Sequence, residues 1–112
     1  MSISILKKRT DFLKAARAKR LSTPAFTLQW REREAGEAEG IRVGFTCSKK
    51  VGNAVARNRA KRRLREIARK TLPNQGQDGF DYVLIGRRDT TATRDFSQML
   101  ADLESALAKA HS

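Results

Sequence analysis

SKKVGNAVARNRAKRRLREIARK, residues 48–70, is the stretch from which the rest of the chain can be read. Ten of the 24 lysines and arginines fall within it, against a single acid, Glu66. It contains no proline, and its one glycine, Gly52, stands near the start. Gly52 permits the backbone angles of a tight turn. Asn53 suits an N-cap, because its side-chain oxygen can accept from an unpaired N–H of the first helical turn. The spacing therefore predicts a helix over residues 54–70. At 100° per residue, Ala56, Ala60, Leu64, Ile67 and Ala68 form one apolar stripe. Arg57, Asn58, Lys61, Arg62, Arg65 and Arg69 fan across the other side, while Arg59 and Arg63 flank the stripe at its far edge. A solvated surface helix with its apolar side on a core is the simplest reading. Charge of one sign with almost no Glu at i,i+4 repels itself, however. A polyanion along the helix would neutralise it, which favours a nucleic-acid face.

The whole chain has the same bias. Its 112 residues carry a formal charge of +12, with 39% apolar residues. That length suits one domain, residues 1–112, with one modest core. The charge calls for an anionic partner, nucleic acid first and an anionic membrane surface second. A lone cysteine, Cys47, excludes an internal disulfide and is compatible with a reducing compartment. No apolar run approaches the length of a membrane span. The opening MSISIL is too short for a signal-peptide core, so a cytoplasmic location is expected.

Outward from the basic stretch, residues 42–47 read as a strand with Val43, Phe45 and Cys47 on one face. Before it, residues 25–33 alternate, with Phe26, Leu28 and Trp30 opposite Thr27, Gln29 and Arg31. Trp30 is either a core residue or a stacking platform. Residues 34–40 read as a hairpin loop that makes these two strands antiparallel partners. Glu32, Glu34, Glu37 and Glu39 crowd this loop, without the spacing of a metal site, and are expected to point away from RNA. Residues 1–9 read as a polar, basic lead-in. A helix over residues 11–19 would put Phe12, Leu13 and Ala16 on one face, with a short extra strand near Leu21. Downstream, Pro73 is expected to stop the basic helix. Residues 80–86, FDYVLIG, are apolar enough for a central strand covered on both faces. Thr93 can cap a last helix whose Phe96, Met99, Leu100, Leu103, Ala106 and Leu107 follow helical periodicity. His111 falls in a tail expected to fray. The fold class is thus α+β: a small α/β sandwich with an about four-stranded mixed sheet and three helices.

The run SKKVGNAVARNRAKRRLRE resembles the signature of the protein subunit of bacterial ribonuclease P, whose core is an Arg-Asn-Arg triplet, here Arg57-Asn58-Arg59. The likeness extends to the basic stretch from Leu6 to Phe12, to RVGFTCSKK and to DYVLIGR. It implies a left-handed crossover between the strands around the basic helix, where the general packing rule would give a right-handed one. It implies binding of a catalytic RNA through Lys49, Lys50, Asn53, Arg57, Asn58, Arg59, Lys61, Arg62, Arg65 and Arg69. It also implies a cleft for the single-stranded 5′ leader of precursor tRNA, assigned to Phe12, Lys14, Arg17, Gln29 and Ser48. From sequence alone Phe12 reads first as a core anchor. The family commonly has a second aromatic one turn after Phe12, where this chain has Ala16.

Residue chemistry is compatible with that division of labour. Arg offers phosphate a bidentate fork, and Asn58 can bond a base edge or a 2′-hydroxyl. There is no zinc-type Cys/His cluster, no Gly-rich phosphate cradle, and no paired carboxylates among Asp11, Asp78, Asp81 and Asp89. The chain itself is therefore expected to cleave nothing. The resemblance assigns the hydrolysis to the RNA subunit with Mg²⁺, and no metal to the protein alone. Two other readings stay open: a ribosomal or RNA-chaperone protein without an enzymatic partner, and a DNA-binding protein. The latter lacks a helix-turn-helix companion, since strands flank the basic helix, so no DNA partner is expected.

Overall fold

The computed structural model describes residues 3–112. Its elements are β1 (Ile3–Ile5), α1 (Arg9–Ala16), β2 (Lys19–Ser22), β3 (Phe26–Glu32) and β4 (Ile41–Thr46). A 3-10 turn (Lys49–Val51), α2 (Ala54–Gln75), β5 (Phe80–Gly86), α3 (Thr90–Thr93) and α4 (Phe96–Ala110) follow. The sheet order is β1-β4-β5-β3-β2. β1, β4 and β5 run parallel, β3 is antiparallel to β5, and β2 is antiparallel to β3.

The apolar β5 takes the centre because both its faces can be covered. Tyr82 and Leu84 enter the larger core, against α2 and α4. Val83 points the other way and joins Leu6 and Ala15, with Phe12 and Ile85 packed alongside. The sheet thus separates α1 from the α2–α4 layer. The α+β class and the mixed sheet are as the sequence led us to expect.

Several details differ. There are five strands and four α-helices among the described residues, not four and three. β1 lies in what read as a polar lead-in; it is too short to show periodicity and is held by pairing with β4. β3 and β4 are not hairpin partners, because β5 inserts between them and pairs with both. α1 ends at Ala16, and Lys19 belongs to β2, whose backbone pairs with β3. α2 continues past Pro73 to Gln75. Burial of Thr71 and Leu72 anchors its last turn, and the Gly76 N–H closes it on the Leu72 carbonyl at 2.8 Å. Asp95, not Thr93, caps α4, accepting from the Gln98 N–H at 3.2 Å. His111 is docked rather than frayed: its Nε2 lies 2.6 Å from the Tyr82 hydroxyl and its ring stands edge-on to Phe80. Trp30 is half-buried against the larger core.

At one end of the sheet, Asp81 is completely buried (0% exposed). Arg42 grips it through Nε at 2.7 Å and Nη2 at 2.8 Å, and Arg33 through Nη1 at 2.7 Å. Arg33 also donates to the carbonyls of Ala38, Gly40 and Phe80. Burial alone would raise the Asp81 pKa, but the bonds from Arg42 and Arg33 outweigh it and hold the carboxyl below its usual range. Arg31 adds a contact with Glu37 at 2.8 Å.

Candidate nucleic-acid interface

The entry to α2 is built by three residues acting on the backbone. Ser48 Oγ accepts from the Lys50 N–H at 3.3 Å, opening the 3-10 turn that leaves Lys49 and Lys50 exposed. Gly52 has φ +144, and a Cβ there would meet the Ala56 methyl at 2.9 Å, so glycine is required at this corner. Asn53 Oδ1 accepts from the Ala56 N–H at 2.9 Å, the cap expected from sequence. The Asn53 side chain is therefore committed to the helix terminus.

Along α2 the basic residues divide by what they touch. Arg57 is half-buried and donates to the Gly52 carbonyl at 3.0 Å. Lys61 is also half-buried, at the flank of the apolar stripe. Arg63 is drawn inward and ties α2 to the Thr91 carbonyl at 3.0 Å and the Arg94 carbonyl at 2.6 Å. Arg69 pairs with Glu66 one turn before it. Asn58, Arg59, Arg62 and Arg65 are exposed on the helix. Asn58, Arg59 and Arg62 share a shallow depression with Val55, which is 77% exposed despite its apolar side chain. One face of α2 thus presents Arg forks, an amide and a small apolar surface, the groups that meet phosphate, base edge and sugar.

The second surface lies across the sheet, around α1. Phe12 packs on β4 at Gly44: a Cβ on Gly44 would fall 2.5 Å from Phe12 Cε1. The ring is half-buried, so it both anchors α1 and keeps part of its surface open. Ile85, which packs on the same Leu6–Ala15–Val83 cluster as Phe12, lines a groove of about 600 Å³ with Ser48, Lys50, Arg87 and Arg88. Gln29 is on the α1 side of the sheet but only 5% exposed. Lys14 and Arg17 are exposed, yet they line a different depression together with Arg31, Glu34 and Glu37. The acidic loop therefore stands beside these two residues instead of pointing clear of them. Ser48 lines that groove, whereas Phe12, Lys14 and Arg17 do not.

A family model described as Ribonuclease P matches residues 3–111. The chain belongs to this family. It is 67% identical over 109 residues to the ribonuclease P protein component of Ruegeria pomeroyi, covering 97% of this chain and 87% of that protein. The corresponding protein of Caulobacter vibrioides is 50% identical over 102 residues, covering 91% of this chain and 67% of that one. Among solved structures, the ribonuclease P protein of Thermotoga maritima superposes with a TM-score of 0.73 at 31% identity, over 93% of this chain and 94% of that one. The Staphylococcus aureus protein gives the same TM-score of 0.73 at 27% identity, over 95% and 94%. These likenesses support a ribonuclease P protein component over the ribosomal or RNA-chaperone alternative.

Four carboxylates of this chain, those of Asp11, Glu37, Asp81 and Asp102, are already engaged by arginine. Asp81 is enclosed by guanidinium groups, Asp11 is 3.5 Å from Arg42, and Asp102 is 2.7 Å from Arg94. Glu37 accepts from the Glu34 N–H and sits against Arg31, which together lower its pKa. Among the described residues no three His, Cys, Asp or Glu gather in a metal-binding arrangement. No described helix is long and apolar enough to cross a membrane. Burial raises the Cys47 thiol pKa, which suits packing rather than nucleophilic chemistry. Arg87 and Arg88 are groove residues that sequence reading left unassigned. The available signal was a basic pair placed directly after a central strand.

Proposed function

We propose that this chain is the protein subunit of a bacterial ribonuclease P, acting in the cytoplasm. It docks on the RNA subunit through the turn at Lys49 and Lys50 and the exposed face of α2. It holds the 5′ leader of precursor tRNA across the α1 side of the sheet, at Phe12 and in the groove lined by Ile85, Ser48 and Arg87. The RNA subunit with Mg²⁺ performs the hydrolysis. Asp11, Glu37, Asp81 and Asp102 do not fit a metal role, since they are already engaged by arginine. The observation that carries the proposal is the exposed stripe of Asn58, Arg59, Arg62 and Arg65, on the opposite side of the molecule from a half-open aromatic. Two separated RNA surfaces suit a protein that grips an RNA partner and its substrate at once.

The test is reconstitution with a transcribed RNA subunit in Mg²⁺. Protein alone should leave precursor tRNA uncut, and cleavage by RNA-free protein would refute the assignment of chemistry to RNA. Phe12→Ala should weaken holoenzyme binding of precursor tRNA by about 1–3 kcal/mol, the value of one lost base stack. The low end is expected, because Ala16 offers no second ring. Mature tRNA binding and assembly with the RNA subunit should be unchanged. Equal losses for precursor and mature tRNA, together with a lowered melting temperature, would make Phe12 a core anchor only.

A further inference from the structure

Between β1 and α2 lies a groove of about 320 Å³ that shares only Arg65 with the docking face described above. Ile3, Ile5, Val43, Phe45, Leu72 and Pro73 supply apolar walls and an aromatic ring, while Arg65 and Arg69 stand along the α2 side. Ile5 is 54% exposed and Phe45 half-buried, so these side chains meet solvent. An open apolar cleft on a chain of charge +12 marks a contact site more readily than a solvated surface. None of the lining residues is acidic.

We propose that this groove receives one unpaired, outward-turned base of the RNA subunit, with the phosphates on either side of that base held by Arg65 and Arg69. The inference rests on the reading of α2 as the RNA-docking helix and extends it by a specific contact. Three features select this occupant. RNA is read chiefly where unstacked bases lie on aromatic rings or guanidinium planes, and Phe45 and Arg65 offer both in one cleft. The rim is cationic, so the occupant must combine a flat apolar body with nearby negative charge. The groove is continuous with the RNA face, because Arg65 belongs to the exposed basic side of α2. A second copy of this chain fits less well, since it would bring like charges together at Arg65 and Arg69.

The experiment measures affinity for a transcribed RNA subunit across a salt series, using the full chain and three variants, with thermal melting of each. Phe45→Leu should weaken binding at least about fivefold, the lower bound for a lost base stack. Ile5→Ser should weaken it less, in the same direction. Both should keep the wild-type salt slope, because neither removes a phosphate contact. Arg59→Gln, away from the groove, should weaken binding and reduce the slope. If Phe45→Leu fails to fold, Ile5→Ser carries the test, since its side chain is more than half exposed. Wild-type affinity for both groove variants alongside weakened Arg59→Gln would overturn the groove proposal and leave the docking reading intact. No effect from any of the three would overturn both. Self-association in sedimentation that Ile5→Ser abolishes would assign the groove to a second copy and overturn the RNA proposal.

Discussion

The arginines around Asp81 and those on the outer face of α2 are the same residue put to opposite uses. Arg33 and Arg42 spend their N–H groups chiefly on the Asp81 carboxylate, with three carbonyls for Arg33 and Asp11 for Arg42, at the end of the sheet. Arg59 and Arg62 extend into solvent from a helix with one acid in its whole length. The first group closes the fold; the second leaves charge unneutralised for a partner. Charge counted in a sequence therefore overstates the RNA face. Even within α2, Arg63 and Arg57 turn inward to carbonyl oxygens.

The largest test of this contrast removes the anion from the internal group. Asp81→Ala leaves the buried Arg33 without its counter-charge, and Arg42 with only the more distant Asp11, and should cost about 3–5 kcal/mol in urea unfolding. Unchanged stability would break the distinction, since the internal arginines would then need no anion. The next test compares two positions on one helix. Arg63→Ala should lose roughly 1.5–3 kcal/mol of stability, the value of hydrogen bonds from a charged group, with the RNA salt slope unaltered. Arg59→Ala combined with Arg62→Ala should do the reverse: a melt close to wild type and a salt slope lower by about 2. A destabilised double variant, or an Arg63 variant with a reduced slope, would show that the two classes are not separate.

The smallest effect uses pH, to which the arginines are indifferent. The Tyr82 hydroxyl accepts from the Gln77 N–H at 2.9 Å and lies 2.6 Å from His111 Nε2. Burial lowers the His111 pKa from its usual 6.5. The unfolded chain therefore takes up the proton first as pH falls, and the contribution, complete above about pH 7, declines through the histidine range below it. The expected loss is roughly 0.5–1 kcal/mol, because the ring is partly solvated. His111→Phe should flatten this portion of a melting-temperature profile. A wild-type profile that is already flat from pH 8 to pH 5.5 would remove the bond from the account. The acid limb set by Asp81 lies lower, since stability tied to a depressed carboxyl is lost only as pH falls through that lowered value.

How far each feature could be read depended on how local its cause is. The Asn53 cap and the apolar stripe of α2 depend on neighbours within a few residues, so they were legible. The division of its arginines was not: periodicity places Arg57 on a face, but its bond to Gly52 depends on a turn at φ +144. β1 was hidden because three residues, ISI, carry no pattern and find their partner at Ile41–Val43. The hairpin expectation failed because consecutive strands usually pair, whereas here a later and more apolar strand takes the place between them. His111 was misread as loose because Tyr82 and Phe80, the side chains that dock it, lie far back in the sequence. On the α1 side of the sheet, Phe12 was legible only as an aromatic on a helix. That it needs glycine at position 44 is a property of the packed sheet.

The position of β5 also governs the order of events during synthesis. β3 can pair with β2 and β4 with β1 as they are made, but the two halves of the sheet stay apart until residues 80–86 emerge and bridge them. α2 precedes that strand, so the ribosome releases a long cationic helix-former before a sheet exists to bury its apolar stripe. A nascent chain halted before residue 80 would carry its basic segment without a closed core. Arrest series of increasing length should therefore show protease resistance arriving late, once β5 and the α4 that packs over it have cleared the exit tunnel, not strand by strand.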